Sequence, residues 1–285
     1  MAIRFIVDSG CDILPSEAEQ LGIIHLPLKV LFGQQEHLDA VDLTHRAFYE
    51  KLVESDQLPT TCQVPPAEFA EAYEKVVAAG DTAVVVTVSG KLSGTYQSAV
   101  IASEDYEGKI FVVDSENVSL GQRILIQQGL RYRDAGLSAK EIAERLEQEK
   151  KQIRVLALLD TLEYLKKGGR ISAATALAGS LLSIKPVVTV DEGAVVMAGK
   201  ARGSKQGNNL LRVLVEKSGG IDFSRPLCLA YSGLSDMMLR KYIEDSEELW
   251  QGHDDCLQIV TVGCAIGTHA GPGAVAVAFF VNSNS

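Results

Sequence analysis

The stretch Val84-Val85-Val86-Thr87-Val88-Ser89-Gly90-Lys91-Leu92-Ser93-Gly94-Thr95-Tyr96-Gln97-Ser98-Ala99 reads as a buried strand, a tight polar loop and then a helix. Its first part is β-branched and apolar without alternation, as in a sheet covered on both faces. The loop carries two glycines and two serines. At such a junction the free N–H groups and the positive end of the helix dipole point outward and suit an anionic group. Ser93 and Thr95 add neutral hydroxyl donors, and Gly94 permits close approach to the backbone. Ser93 equally suits a plain helix cap, which on this stretch alone is the simpler reading.

Working outward, the 285 residues are enough for a well-buried core and fit two domains better than one. Hydrophobic residues make up 46% and charged residues 22%, the balance of a soluble globular chain. A net charge of −10 argues against a nucleic-acid partner, but a local site can still take an anionic small ligand. The five cysteines include no Cys-x-x-Cys pair and the five histidines no His-x-x-x-His pair, so neither a disulfide framework nor a metal is expected. The N-terminus opens on a strand pattern rather than a signal peptide, and a cytoplasmic location follows as the expectation. The apolar stretch 171–190 is interrupted by Ser180, Ser183, Lys185 and Pro186, so no stable membrane insertion is expected.

In chain order, residues 3–7 form a strand running into Asp8-Ser9-Gly10-Cys11-Asp12, a polar loop at a carboxyl strand end. A helix over 15–21 stops at Gly22, residues 24–31 read as one strand, and Thr44 caps a helix through Glu54. Pro59, Pro65 and Pro66 bracket an extended loop in which Thr60 and Thr61 present hydroxyls, or are simply solvated. Helices over 67–79 and 117–135, strands over 82–88 and 110–113, and a capping box at Ser138 and Glu141 complete a largely parallel α/β pattern.

A strand over 153–159 opens a different texture. A short helix closes on Gly168-Gly169-Arg170, and residues 173–184 read as a helix of small residues. Strands on either side of Asp191-Glu192-Gly193 make a hairpin. Helices over 208–218 and 235–250 follow, with strands over 226–231 and 257–262. Last comes a glycine-rich loop around His269 and a closing strand from Ala274. The loop's glycines favour close approach of the histidine to a ligand.

Known chemistries fit poorly. The serine-hydrolase elbow needs glycines where Lys91 and Thr95 stand; no Walker A loop or dinucleotide fingerprint occurs, and no cofactor is expected. What remains is a set of hydroxyls, one histidine and much apolar surface.

Six blocks in order then resemble the DegV family. They are Asp8-Ser9 with Asp12; Pro59-Thr60-Thr61-Cys62-Gln63; Leu92-Ser93-Gly94-Thr95-Tyr96-Gln97-Ser98-Ala99; Asp114-Ser115; Leu162-Glu163-Tyr164-Leu165-Lys166-Lys167-Gly168-Gly169-Arg170-Ile171; and Gly267-Thr268-His269-Ala270-Gly271-Pro272-Gly273-Ala274. The resemblance implies a two-domain DegV-like α/β fold: residues 1–152 hold a largely parallel sheet with flanking helices and the carboxylate-binding loops. Residues 153–285 form a second α/β domain with a mixed or antiparallel sheet that closes a lipid pocket, its terminal segment returning towards the interface.

The resemblance further implies a bacterial, non-enzymatic lipid-binding subunit (FakB) of a fatty acid kinase. It would bind a long-chain fatty acid such as palmitate, stearate or oleate and present the carboxylate to a separate ATP-using kinase subunit, which makes the acyl phosphate for phospholipid metabolism. Carboxylate contacts fall on Thr61, Ser93, Gly94 and His269, and further pocket positions on Thr60, Cys62, Thr95 and Ser115. Cys62 and Val64 depart from the serine and proline that relatives often carry.

Burying about 14 methylenes at ~0.8 kcal/mol each gives roughly 11 kcal/mol gross, before association costs. The head group is expected to find hydroxyl and backbone donors without a strong cation, leaving one oxygen nucleophilic. Lys167, Arg170 and Arg202, with Lys166, form a local basic set suited to docking the kinase, or are ordinary solvated charge. Two other functions stay open at this point: a Ser/His esterase or acyltransferase, and a lipid carrier or sensor with no kinase partner.

Overall fold

The computed structural model describes residues 2–172 and 184–282. The chain is a mixed α/β protein built on two main sheets. The first is parallel, in the order β2 (Ile23–Leu26), β1 (Ile3–Asp8), β6 (Thr82–Thr87) and β7 (Ile110–Asp114). β6 sits inside it and every residue of TAVVVT is buried, which is why the segment lacks alternation. The second sheet has six strands: β10 (Ala194–Arg202), β9 (Ile184–Asp191), β8 (Ile153–Leu158), β13 (Val275–Phe280), β11 (Cys228–Tyr231) and β12 (Ile259–Thr261). Its pairs are antiparallel except β11 with β12.

One helix binds the two sheets into a single core. α5 (Leu120–Asp134) packs against β6 on one side and β8, β11 and β13 on the other. Its first seven residues are all buried, including Gln122 and Arg123. Both make internal hydrogen bonds: Gln122 Nε2 donates to Asp8 and the Val86 carbonyl, and Arg123 to the Asp12 carbonyl and Glu17, while Gln122 Oε1 and Arg123 Nε have no partner among the described residues.

Several local expectations agree with the structure. α1 (Pro15–Leu21) ends at Gly22, Thr44 caps α2 (His45–Glu54), and Ser138 with Glu141 forms the capping box of α6 (Ala139–Glu149). The β9–β10 hairpin turns at Glu192 and Gly193, with φ of 45° and 80°, the conformation of a primed two-residue turn.

Other expectations are corrected. Residues 24–31 are two strands, not one. Pro27 cannot donate to a ladder, and the chain leaves the parallel sheet there. It resumes as β3 (Lys29–Phe32), centre of a small antiparallel sheet between β4 (Gln35–Leu38) and β5 (Thr60–Cys62). The proline-bracketed loop is thus a short edge strand. α5 begins at Leu120 rather than 117, because Glu116 and Ser119 have positive φ.

Residues 235–250 are two helices, α9 (Met237–Asp245) and α10 (Glu247–Trp250), broken at buried Ser246, whose hydroxyl donates to the Tyr242 carbonyl and accepts from Trp250 Nε1. Before them, α8 (Gly203–Lys217) follows directly on β10. Of the glycine-rich segment before β13, the part with His269 is a helix, α11 (Cys264–Ala270), and only residues 271–274 form a loop. Of the small-residue helix expected over 173–184, residues 173–183 lie outside the described residues and Ile184 opens β9. Among the described residues no helix is long and apolar enough to cross a membrane.

Candidate functional site

A cavity of about 400 Å³ lies between the two sheets. Most of its wall is apolar, with Leu28, Val88, Leu120, Val155, Val195 and Ala276 among the lining residues. Its polar lining includes Thr61, Gln63, Ser93, Arg170 and His269. Four elements deliver them: β5, the loop after β6, the turn after α7 (Glu163–Lys167), and the carboxyl end of α11.

Strand alternation fixes the first contact. β5 pairs with β3, so Thr61 is half-buried while Thr60 and Cys62 are exposed. Thr61 Oγ1 then lies 2.9 Å from His269 Nε2. Burial, and after it the Arg170 charge, lower the imidazole to about 4, so it is neutral near pH 7. Nδ1 has no hydrogen-bond partner among the described residues. An orphaned buried N–H is rarer than an orphaned acceptor, so the proton belongs on Nε2. Nε2–H then donates to Thr61, whose own hydroxyl proton is left to point elsewhere.

The Ser93 loop is braced from several directions. Val88 N–H donates to Asp8 Oδ2 at 2.7 Å, Gly90 N–H to Asp114 at 3.1 Å, and Ser89 Oγ–H to the Gly193 carbonyl at 2.7 Å. The helix beyond, α4 (Thr95–Ser103), has Gly94 as its N-cap. Ser93 Oγ accepts Thr95 N–H at 3.3 Å and lies 2.9 Å from Thr95 Oγ1. Thr95 Oγ1 accepts Val64 N–H at 3.4 Å, tying this loop to the segment after Thr61.

The other sequence candidates divide. Gly94 lines the cavity, but a Cβ there would meet Gln63 Oε1 at 2.0 Å. Its lack of a side chain makes room for Gln63, which donates to Ser98 Oγ at 2.8 Å. Cys62 lines the rim. Thr60, Thr95 and Ser115 are not among the lining residues. Thr60 faces outward, Thr95 is fully buried beside Ser93, and Ser115 is spent on an internal turn with Asn117.

Arg170 is the residue that sequence reasoning misplaced. It lines the cavity, so the expectation of a site without a cation is not met. Its Nε and Nη1 donate to the carbonyls of Leu92 and Gly168, at 3.2 and 2.6 Å. Only its position beside the Gly-Gly turn hinted at a fixed orientation. Lys167 is exposed and paired with Glu163, Lys166 is exposed, and Arg202 is exposed at the end of β10. Gly168 was likewise unmarked as a site residue: a Cβ on it would fall 2.2 Å from His269 Nδ1, so the turn after α7 presses directly on the imidazole.

Asp39, His45 and Cys264 bring three metal-type donor atoms within 4.8 Å of one another. Two of these donors are already engaged. Asp39 accepts three hydrogen bonds, and the Cys264 thiol, pushed up by burial, donates to the Leu43 carbonyl.

The parallel sheet and the mixed sheet are the fold that this chain shares with solved DegV proteins. The chain belongs to this family: the model of the uncharacterised DegV family matches residues 2–282. A solved DegV family protein from Thermus thermophilus, described by its fatty acid binding, has a TM-score of 0.88 at 29% identity, over 99% of this chain and 100% of that one. DegV of Bacillus subtilis, described as a fatty acid binding protein, has a TM-score of 0.82 at 30% identity, with coverage of 99% and 100%. The fold is also that of the Streptococcus pneumoniae fatty acid kinase B3 protein loaded with linoleic acid, at a TM-score of 0.85, 23% identity, and coverage of 99% and 100%.

Proposed function

We propose that this chain binds one long-chain fatty acid, tail in the apolar cavity and carboxylate at Thr61, Ser93 and His269, and presents that carboxylate to a separate ATP-using kinase subunit in the cytoplasm. In this reading residues 1–152 supply the loops of Thr61 and Ser93, and residues 153–285 supply His269 and close over the tail. The observation that carries it is the Thr61–His269 pair at 2.9 Å in the wall of an otherwise largely apolar cavity. A buried carboxylate needs donors. The Nε2–H tautomer leaves Thr61 Oγ1 free to donate, and Ser93 Oγ and the fixed Arg170 guanidinium line the same cavity. The fatty acids bound by the Thermus and Bacillus relatives support the ligand class. The kinase step has the support of the fold shared with the pneumococcal protein, and the exposed Lys167 and Arg202 suit an acidic partner.

The esterase reading is disfavoured by geometry. A nucleophilic serine needs a base within hydrogen-bond reach, and that base needs an orienting group. Here Ser93 Oγ is paired with Thr95, His269 with Thr61, and no carboxylate stands behind His269 Nδ1 among the described residues.

Native mass spectrometry of the purified protein tests the proposal: a single acyl chain should co-purify. Thr61→Val and Ser93→Ala should each weaken its retention about tenfold or more, the worth of a hydrogen bond to a charged group. A protein that carries no lipid and binds none when offered would refute it.

A further inference from the structure

We propose that Asp39 is the positioning residue of the head-group site, holding the amino end of α11 and so setting where His269 stands at the other end. This rests on the reading of the cavity just given. Asp39 is 1% exposed and lies between β4 and α2, far from His269 in sequence. Its Oδ1 accepts Cys264 N–H at 3.0 Å, and its Oδ2 accepts Ala265 N–H at 3.2 Å and Ser9 Oγ–H at 2.9 Å. Cys264 and Ala265 are the first two residues of α11, whose amides have no intrahelical acceptor. The negative charge also opposes the positive end of the helix dipole.

The clamp is itself held. Ser9 Oγ accepts Leu28 N–H at 3.0 Å, and Asp39 N–H donates to the Leu28 carbonyl at 2.9 Å. Asp12 accepts Gly263 N–H at 2.9 Å, the residue just before α11. A Cβ at Gly263 would fall 2.9 Å from Asp12 Oδ1, so the carboxylates close onto bare backbone. From Cys264 to His269 is about 8 Å at ~1.5 Å per residue, a lever too short to flex. A displacement at one end therefore reaches the imidazole almost undiminished. The 2.9 Å bond to Thr61 has little slack before it is lost.

The test is NMR titration of labelled histidine in the ligand-free protein, alongside displacement of a fluorescent fatty acid. In the wild type, His269 should titrate near 4, lowered by burial and then by the Arg170 charge. Asp39→Asn loses the charge and one of the two acceptor oxygens. Its His269 should titrate closer to the ordinary 6.5 as water enters, and fatty-acid affinity should fall about tenfold. Ser9→Ala frees the carboxylate to turn and should move both readings the same way by less, about two- to fivefold in affinity. It carries the test should Asp39→Asn not fold.

Ser246→Ala, a buried cut in the break between α9 and α10, should lower stability and leave both readings unchanged. Wild-type titration of His269 in both Asp39→Asn and Ser9→Ala would overturn the clamp. A wild-type protein that binds no fatty acid would overturn the cavity reading instead, with the titration still deciding the clamp.

Discussion

Gly168→Ala should behave as a local wedge. Gly168 has φ −74° and ψ −8°, values any residue adopts, so in open space alanine would be neutral or would stabilise by ~0.5–1 kcal/mol. The added Cβ, however, would lie 2.2 Å from His269 Nδ1 and 2.9 Å from Cε1, where ordinary contact begins at 3.4 Å. The ring must retreat by more than 1 Å, and the 2.9 Å bond to Thr61 Oγ1 cannot survive that. Overpacking of this kind costs ~1–3 kcal/mol of stability, and the broken hydrogen bond another ~0.5–1.5 kcal/mol. With Thr61 no longer aimed, fatty-acid affinity should fall about ten- to a hundredfold, the worth of one hydrogen bond to a charged group.

The neighbouring residue is the control. Gly169 has φ +70° with nothing within 4 Å of its would-be Cβ, so Gly169→Ala costs ~1–2 kcal/mol of backbone strain and touches nothing. Urea unfolding and displacement of a fluorescent fatty acid separate the two variants: both lose stability, and only Gly168→Ala loses affinity. Wild-type binding by Gly168→Ala, or an equal loss in Gly169→Ala, would refute the account of the site.

Three further outcomes follow from the same geometry. Val195→Phe narrows the apolar part of the cavity and should shift preference from stearate towards myristate in a competition read by native mass spectrometry. Burial raises the Asp12 carboxyl to about 7 and that of Asp8 to about 6, against 3.8 in the unfolded chain. The folded state therefore holds more protons between those values, and their contribution to stability falls as pH rises from about 4 to about 7. Asp12→Asn should flatten that slope in urea titrations, by an amount of order 4 kcal/mol at most. Ser138→Ala removes the α6 capping box and should cost ~1 kcal/mol by the same measurement, with no change in ligand affinity.

The parts of the fold legible in the sequence are those set within a few residues. The β6 loop, the 138–141 capping box and the Glu192-Gly193 turn each carry their own backbone chemistry. Pro27 also carried its message: a residue without an N–H inside a supposed strand marks a break. Once residues 60–62 are seen as a strand, alternation alone separates Thr61 from Thr60. Arg170 is different. Its basic turn looks like surface chemistry until the second sheet folds over and brings it into the wall with Ser93 and His269. Asp39 has no motif either, because its partners are the amides of Cys264 and Ala265, and main-chain donors leave no trace in a sequence.

The position of β13 has a consequence for how the protein is made. It is the last described strand in the chain, yet it lies inside the second sheet, hydrogen-bonded to β8 on one side and β11 on the other. Ala274 and Ala276 from this segment line the cavity. During synthesis the cavity thus lacks its middle plank until residues 275–280 have been made. Until β13 inserts, the flanks of β8 and β11 are open edges of the kind that invite mispairing.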